Sequence, residues 1–140
     1  MDIYIPANNG KNESVTALLS FPGGGYSYTS VVNEGLNLAK YFVPRGYAVI
    51  VLKYRLPNGH ANIPLSDAIR AMEILRDSAT VWGLNPHKIG VIGFSAGGHL
   101  AASLPTKFSS AKSRPDFGLL VYPVISFDKK VYHGGSCRQL

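Results

Sequence analysis

The chain is poor in the groups that would commit it to redox, metal or membrane chemistry. It has one cysteine, Cys137, so it forms no internal disulfide and suits a reducing compartment; cytoplasm is the expected location. Its longest unbroken apolar stretch, Tyr47–Leu52, falls far short of the roughly 20 residues that span a bilayer, and no membrane partner is expected. Met1-Asp2 leads directly into strand-like Ile3-Tyr4-Ile5, with neither the basic nor the apolar region of a secretory signal. Histidine is sparse, and His60, His87, His99 and His133 show no H-x-x-x-H spacing, so neither a metal nor any other cofactor is expected. Acidic residues are also few, 8 against 14 Lys and Arg. The basic excess gathers in Lys107, Lys112, Arg114, Lys129, Lys130 and Arg138, but neither on one helix face nor between stacking aromatics. That distribution argues against a nucleic-acid partner.

Hydrophobic residues make up 46% of the chain and charged ones 16%, a balance that favours a packed core over disorder. Val15–Phe21 reads as a strand that ends abruptly in Pro22-Gly23-Gly24-Gly25. Val32, Leu36, Ala39 and Val43 have helical spacing, closed by Pro44 and Gly46. Tyr47–Leu52 is apolar throughout, as a strand buried on both faces must be. Leu65, Ala68, Ile69, Met72, Leu75 and Ala79 line a second helix, with Pro64 at its start and Gly83 past its end. After a turn at Asn85-Pro86, Lys88–Ile92 is a third strand; Gly97–Ser103 is helical, Phe117–Tyr122 is a fourth strand, and the remainder is irregular. Strands alternating with helices at these lengths predict one α/β domain over residues 1–140, a doubly wound, mostly parallel sheet with helices on both faces.

Gly93-Phe94-Ser95-Ala96-Gly97 fits the pattern G-x-S-x-G at the end of a predicted strand and the start of a predicted helix. In that setting the pattern reads as a nucleophile elbow, a strained turn that lifts Ser95 above the sheet edge. Its glycines remove Cβ atoms that would collide, and the Ala96 N–H becomes an oxyanion donor. The competing reading is a glycine-rich turn with an N-capping serine. Gly23, Gly24 and Gly25 read as a loop whose amides approach the same edge, against the alternative of a plain turn. Tyr26 is a candidate wall of the acyl pocket, or a surface tyrosine beside that turn. Phosphate cradling is disfavoured, because no Gly-Lys-Ser/Thr follows the glycines and the elbow lacks a G-x-G opening.

Phe21-Pro22-Gly23-Gly24-Gly25-Tyr26, Glu34-Gly35, Tyr54-Arg55-Leu56-Pro57, Asp67-Ala68-Ile69-Arg70-Ala71 and Gly93–Ala101 occur in an order that resembles the α/β-hydrolase serine esterases. Phe117–Ser126, ending in Tyr122-Pro123-Val124-Ile125, is similar to the carbohydrate acetyl-esterase branch, which includes acetyl-xylan-esterase-like and feruloyl-esterase-like proteins. The resemblance implies hydrolysis of a small-molecule ester, such as a sugar acetate, without metal or cofactor. It implies Ser95 as nucleophile and Gly24, Gly25 and Ala96 as the oxyanion hole, with Phe21 in place of the usual His or Cys.

The resemblance also implies a carboxylate and a histidine after two later strands, so the chain reads as the N-terminal half of such a domain. Asp116 falls before its strand, at the wrong edge. Asp128 and His133 have the right order but share one irregular stretch, and His99 reads as a packed helix residue. Residues 1–140 alone are then either weakly active or a non-catalytic α/β unit, with an open sheet edge that invites self-association.

Overall fold

The computed structural model of the protein describes residues 1–7 and 14–140. Its sheet has the order β1-β3-β2-β4-β5. The strands are β1 (Asp2–Tyr4), β2 (Val15–Phe21), β3 (Ala48–Val51), β4 (Leu84–Phe94) and β5 (Gly118–Val121). β1 runs antiparallel to β3 at one edge, and every other pairing is parallel. Leu19, in the central strand, lies opposite Ile50 on one side and Val91 on the other.

Helices cover both faces, and the pleat decides which residue meets which. Ala48 and Ile50 of β3 join Ala17, Leu19 and Phe21 of β2 in the larger core, under α2 (Asn62–Ser78) and α3 (Ala96–Lys107). Val49 and Val51 point the other way and pack with Ala39 of α1 (Asn37–Phe42). This alternation is the period-2 geometry of a strand. It explains why Tyr47–Leu52 is apolar without a break. Among the described residues, no helix is long and apolar enough to cross a membrane.

Three elements depart from the sequence expectation. β4 begins at Leu84, ahead of the turn expected at Asn85-Pro86. Val15 pairs with Leu84, and the register then shifts between Val15 and Ala17. The irregularity accommodates Pro86, which has no N–H for the ladder. The helix expected from Val32 is three turns in series: a π-turn at Val32–Leu36, α1, and a 3₁₀ turn at Val43–Arg45. In the first, Leu36 N–H donates to the Val31 carbonyl. Gly35 is pressed there onto β3, where a Cβ would lie 2.6 Å from Val51 Cγ1. Finally, Gly134–Gln139 forms a short helix, α4, in the stretch expected to be irregular. Its two leading glycines each cost about 1 kcal/mol in helix propensity. The His133 side chain caps it by accepting the Ser136 N–H.

The parallel strands all end at one edge, where α/β sheets place their ligands. There the triple-glycine loop leaves β2, Ser95 follows β4, and Tyr122 follows β5. β5 is an open edge strand, with Leu119 and Leu120 both more than 40% exposed, at 42% and 45%.

Candidate active site

Ser95 stands between β4 and α3 with φ 51° and ψ −117°. A non-glycine residue in that region carries strain on the order of 1–3 kcal/mol and needs surroundings that impose it. Here the main chain is held from both sides. Ser95 N–H extends the ladder to the Val121 carbonyl at 3.1 Å, and its own carbonyl accepts from Val124 at 3.0 Å and His99 at 3.1 Å. Its side chain makes no capping hydrogen bond to α3, and a capping residue has extended rather than positive φ. The geometry is therefore that of an elbow, and the capping-serine alternative is set aside.

Glycine at position 97 is required by close approach. A Cβ there would lie 2.0 Å from the Phe21 carbonyl oxygen and 2.7 Å from that of Pro22. The first turn of α3 thus rests on the main chain where β2 becomes the glycine loop. A Cβ on Gly23 would lie 3.1 Å from Ser95 Cβ, so the loop and the serine touch. Gly24 has φ +136° and closes the loop by accepting from Ser27 N–H at 3.0 Å. Gly25 faces the other wall; the nearest atom to a Cβ there would be His133 Cε1, at 3.9 Å. Ala96 is fully buried as the first residue of α3, where N–H groups have no intrahelical acceptor. Ser95 and Ala96 thus stand beside the loop that carries Gly24 and Gly25, touching it at Gly23.

Beside Ser95 opens a cleft of about 540 Å³, lined by Tyr122, Val124, Ile125, Val131 and His133. Tyr26 is not on its wall, contrary to the expectation from sequence. At 1% exposure its ring lies in the core, edge-on to Tyr54 and His99, because φ 63° turns the side chain inward from the loop. Tyr122 takes the wall position instead. Tyr54, which the sequence offered only within the resemblance, gains a role here: its hydroxyl donates to the Pro22 carbonyl at 2.5 Å and pins the loop. Neither role has a signature in spacing, since each depends on where a loop returns to the sheet. Arg55 and Asp67, both within motifs of the resemblance, form an ion pair at 2.7 Å and do not line the cleft.

The Tyr26 hydroxyl lies 2.7 Å from His99 Nδ1. Burial pushes the phenol far above its ordinary pKa, with Tyr54 adding to the effect, so Tyr26 is the donor. Burial, aided by Lys107, pulls His99 below 6.5, leaving its Nδ1 free to accept. Two outcomes are expected. Tyr26→Phe strands a half-buried acceptor and should cost about 1 kcal/mol in urea unfolding at pH 7. Because unfolded His99 takes up a proton before folded His99 does, this group's contribution to stability should fall as pH drops through 6.5 towards the folded value. That slope should flatten in His99→Gln.

The remaining acid and base candidates do not assemble. Asp116 binds the Ile89 N–H and Arg76, both at 2.8 Å, at the opposite edge of the sheet. Asp128 accepts from Lys130 N–H at 3.0 Å in a local turn. His133 shares the cleft with Ser95, yet its Nδ1 accepts the Ser136 N–H at 3.1 Å. A neutral imidazole whose Nδ1 accepts must carry its proton on Nε2, so the remaining nitrogen is a donor. Among the described residues, no side chain hydrogen-bonds to the Ser95 hydroxyl.

A family model described as BD-FAE matches residues 1–132. An acetylxylan esterase of Xylanibacter ruminicola is 45% identical over 127 residues, covering 91% of this chain and 26% of that protein. An acetyl ester-xyloside bifunctional hydrolase from Caldicellulosiruptor lactoaceticus aligns in structure with a TM-score of 0.87 and 33% identity, over 99% of this chain and 53% of that one. MGS-M1, an alpha/beta hydrolase enzyme from a Medee basin deep-sea metagenome library, aligns with a TM-score of 0.79 and 37% identity, over 90% and 50% of the two chains. The chain thus spans about a quarter of the curated relative and about half of each solved structure. The parallel sheet with its glycine loop and serine turn is part of an α/β-hydrolase fold, and the chain belongs to the BD-FAE family.

Proposed function

We propose that the intact gene product hydrolyses small carboxylic esters, acetyl groups on sugars foremost, with Ser95 as nucleophile. One observation carries this reading: Ser95 sits at φ 51° on the strand-to-helix turn, in contact with the glycine loop. In the reaction the Ser95 hydroxyl attacks the ester carbonyl and loses its proton to a histidine. Ala96, Gly24 and Gly25 N–H groups receive the charge that develops on the carbonyl oxygen. The ester C–O bond then breaks, and the alcohol leaves with the proton held by that histidine. Water, giving a proton to the same histidine, attacks the acyl-enzyme; the acid departs and Ser95 recovers its proton. The acetylxylan esterase and acetyl ester-xyloside hydrolase similarities support a sugar-linked acetyl substrate.

The base is not among the histidines of this chain, in our reading. His99 is committed to Tyr26, His133 presents a donor, and His60 and His87 are exposed loop or strand-entry residues. The test compares two samples on an acetylated xylo-oligosaccharide and on p-nitrophenyl acetate. The intact product should release acetate from both, and residues 1–140 alone should be slower by at least about 10³-fold. Absence of acetate release by the intact product would reject the esterase reading, and equal rates would reject the reading of the base.

The open β5 edge favours a second reading for residues 1–140 in isolation, a non-catalytic unit that pairs with its own copies. Sedimentation that is monomeric at all concentrations would dismiss it.

A further inference from the structure

The Glu34 carboxylate joins the two walls that flank Ser95. Its Oε2 accepts the Gly23 N–H at 2.5 Å, and its Oε1 accepts the Tyr122 hydroxyl at 2.7 Å. Gly23 is the loop residue that touches Ser95, and Tyr122 lines the cleft beside it. These two partners stand 99 residues apart in the chain, and this one side chain hydrogen-bonds to both.

The main chain of Glu34 is itself built to hold that position. It lies in the π-turn Val32–Leu36, an irregularity often found at functional sites. Its N–H donates to Ser30 at 3.0 Å, its carbonyl accepts from Ser20 Oγ at 2.9 Å, and Gly35 is seated on Val51. A regular α-helix would turn residue 34 by a different amount and aim it elsewhere. No lysine, arginine or histidine forms an ion pair with this carboxylate among the described residues. Its partners are a backbone amide and a phenol, so its work is geometric.

We propose that Glu34 is a positioning residue of the ester-cleaving site: it fixes Gly23 so that the next two amides meet the oxyanion, and it holds Tyr122 as the facing wall. The proposal rests on the esterase reading above. Only the φ and ψ of Gly23 separate its held N–H from the amide of Gly24, so an untethered Gly23 lets the donors drift from where charge develops. A displacement of about 1 Å in such a site costs on the order of 10²-fold in rate. The hydrogen bond to Glu34, with desolvation and the carboxylate's charge adding to it, pushes the Tyr122 pKa up to about 12.

The experiment uses the intact gene product and three variants, Glu34→Ala, Glu34→Gln and Tyr122→Phe. Glu34→Ala should lower kcat by about 10- to 100-fold with KM within threefold, since the loss falls on transition-state charge. Glu34→Gln should restore kcat to within threefold of the parent. The amide oxygen can still accept from Gly23, and its NH₂ can donate to the Tyr122 oxygen. With the carboxylate gone, the Tyr122 ¹³Cζ resonance, assigned by its loss in Tyr122→Phe, should titrate closer to 10 instead of about 12. A kcat for Glu34→Ala within threefold of the parent, or a loss confined to KM, overturns the proposal. Should Glu34→Ala not fold, Glu34→Gln decides: rescue together with the shifted titration supports it, while failure of either overturns it. An inactive Ser95→Ala beside an unaffected Glu34→Ala would reject only the Glu34 role; an unaffected Ser95→Ala would reject the esterase reading itself.

Discussion

Ser95→Ala is expected to lower kcat of the intact gene product by about 10⁴- to 10⁶-fold, with the fold unchanged. The size follows from what the hydroxyl would do. It is the only nucleophile on the turn, and without it the oxyanion donors can polarise a carbonyl that nothing attacks. The fold should survive because, among the described residues, the Ser95 side chain caps no helix and makes no hydrogen bond; the turn is held by its N–H and carbonyl. Alanine inherits the positive φ with much the same strain. The melting temperature should therefore move by no more than a few degrees while activity vanishes. A fluorophosphonate probe, which phosphonylates an activated serine, should label the parent on the peptide containing Ser95 and leave the variant unlabelled. A variant retaining a tenth of the parental kcat would reject the nucleophile assignment.

Gly97→Ala should be the most damaging change that adds a single methyl group. The new Cβ would lie 2.0 Å from the Phe21 carbonyl oxygen and 2.7 Å from that of Pro22. Both are backbone atoms, so no side chain can rotate away, and either α3 or the end of β2 must move. Overpacking of this kind costs about 1–3 kcal/mol, and a rigid contact belongs at the upper end or beyond it. The same displacement carries the glycine loop away from Ser95. A further loss of about 10²-fold in kcat is expected in whatever fraction remains folded. Gly118→Ala is the control, since its Cβ would make an ordinary contact of 3.6 Å with Val91. Thermal unfolding and kcat measured on both variants separate the two effects. Parental stability and activity in Gly97→Ala would show that the two backbones are not in contact.

Much of this architecture was legible in the chain. The unbroken apolar run at Tyr47–Leu52 reports burial on both faces, and the structure places Ile50 and Val49 in opposite cores. The helical spacing of Leu65 to Ala79 reports one buried stripe, which α2 turns into the larger core as expected. Ser95 and the triple glycine were legible because glycines placed around a strand-to-helix turn have a steric cause. Tyr26 was misplaced, because an aromatic beside a flexible turn can face either way and only the positive φ resolves it. α4 was hidden by its own glycines.

What the sequence by itself determined is local: which stretches are buried, where they stop, and which serine stands at a turn too tight for a side chain. What only the tertiary structure decided is convergence. Glu34 reaches Gly23 and Tyr122, Tyr54 reaches Pro22, and His133 spends its acceptor nitrogen on Ser136 rather than on Ser95. The physical reason is range. Burial and turn preference are properties of neighbours along the chain, whereas a hydrogen bond across a sheet edge depends on the register and twist of every strand between its partners.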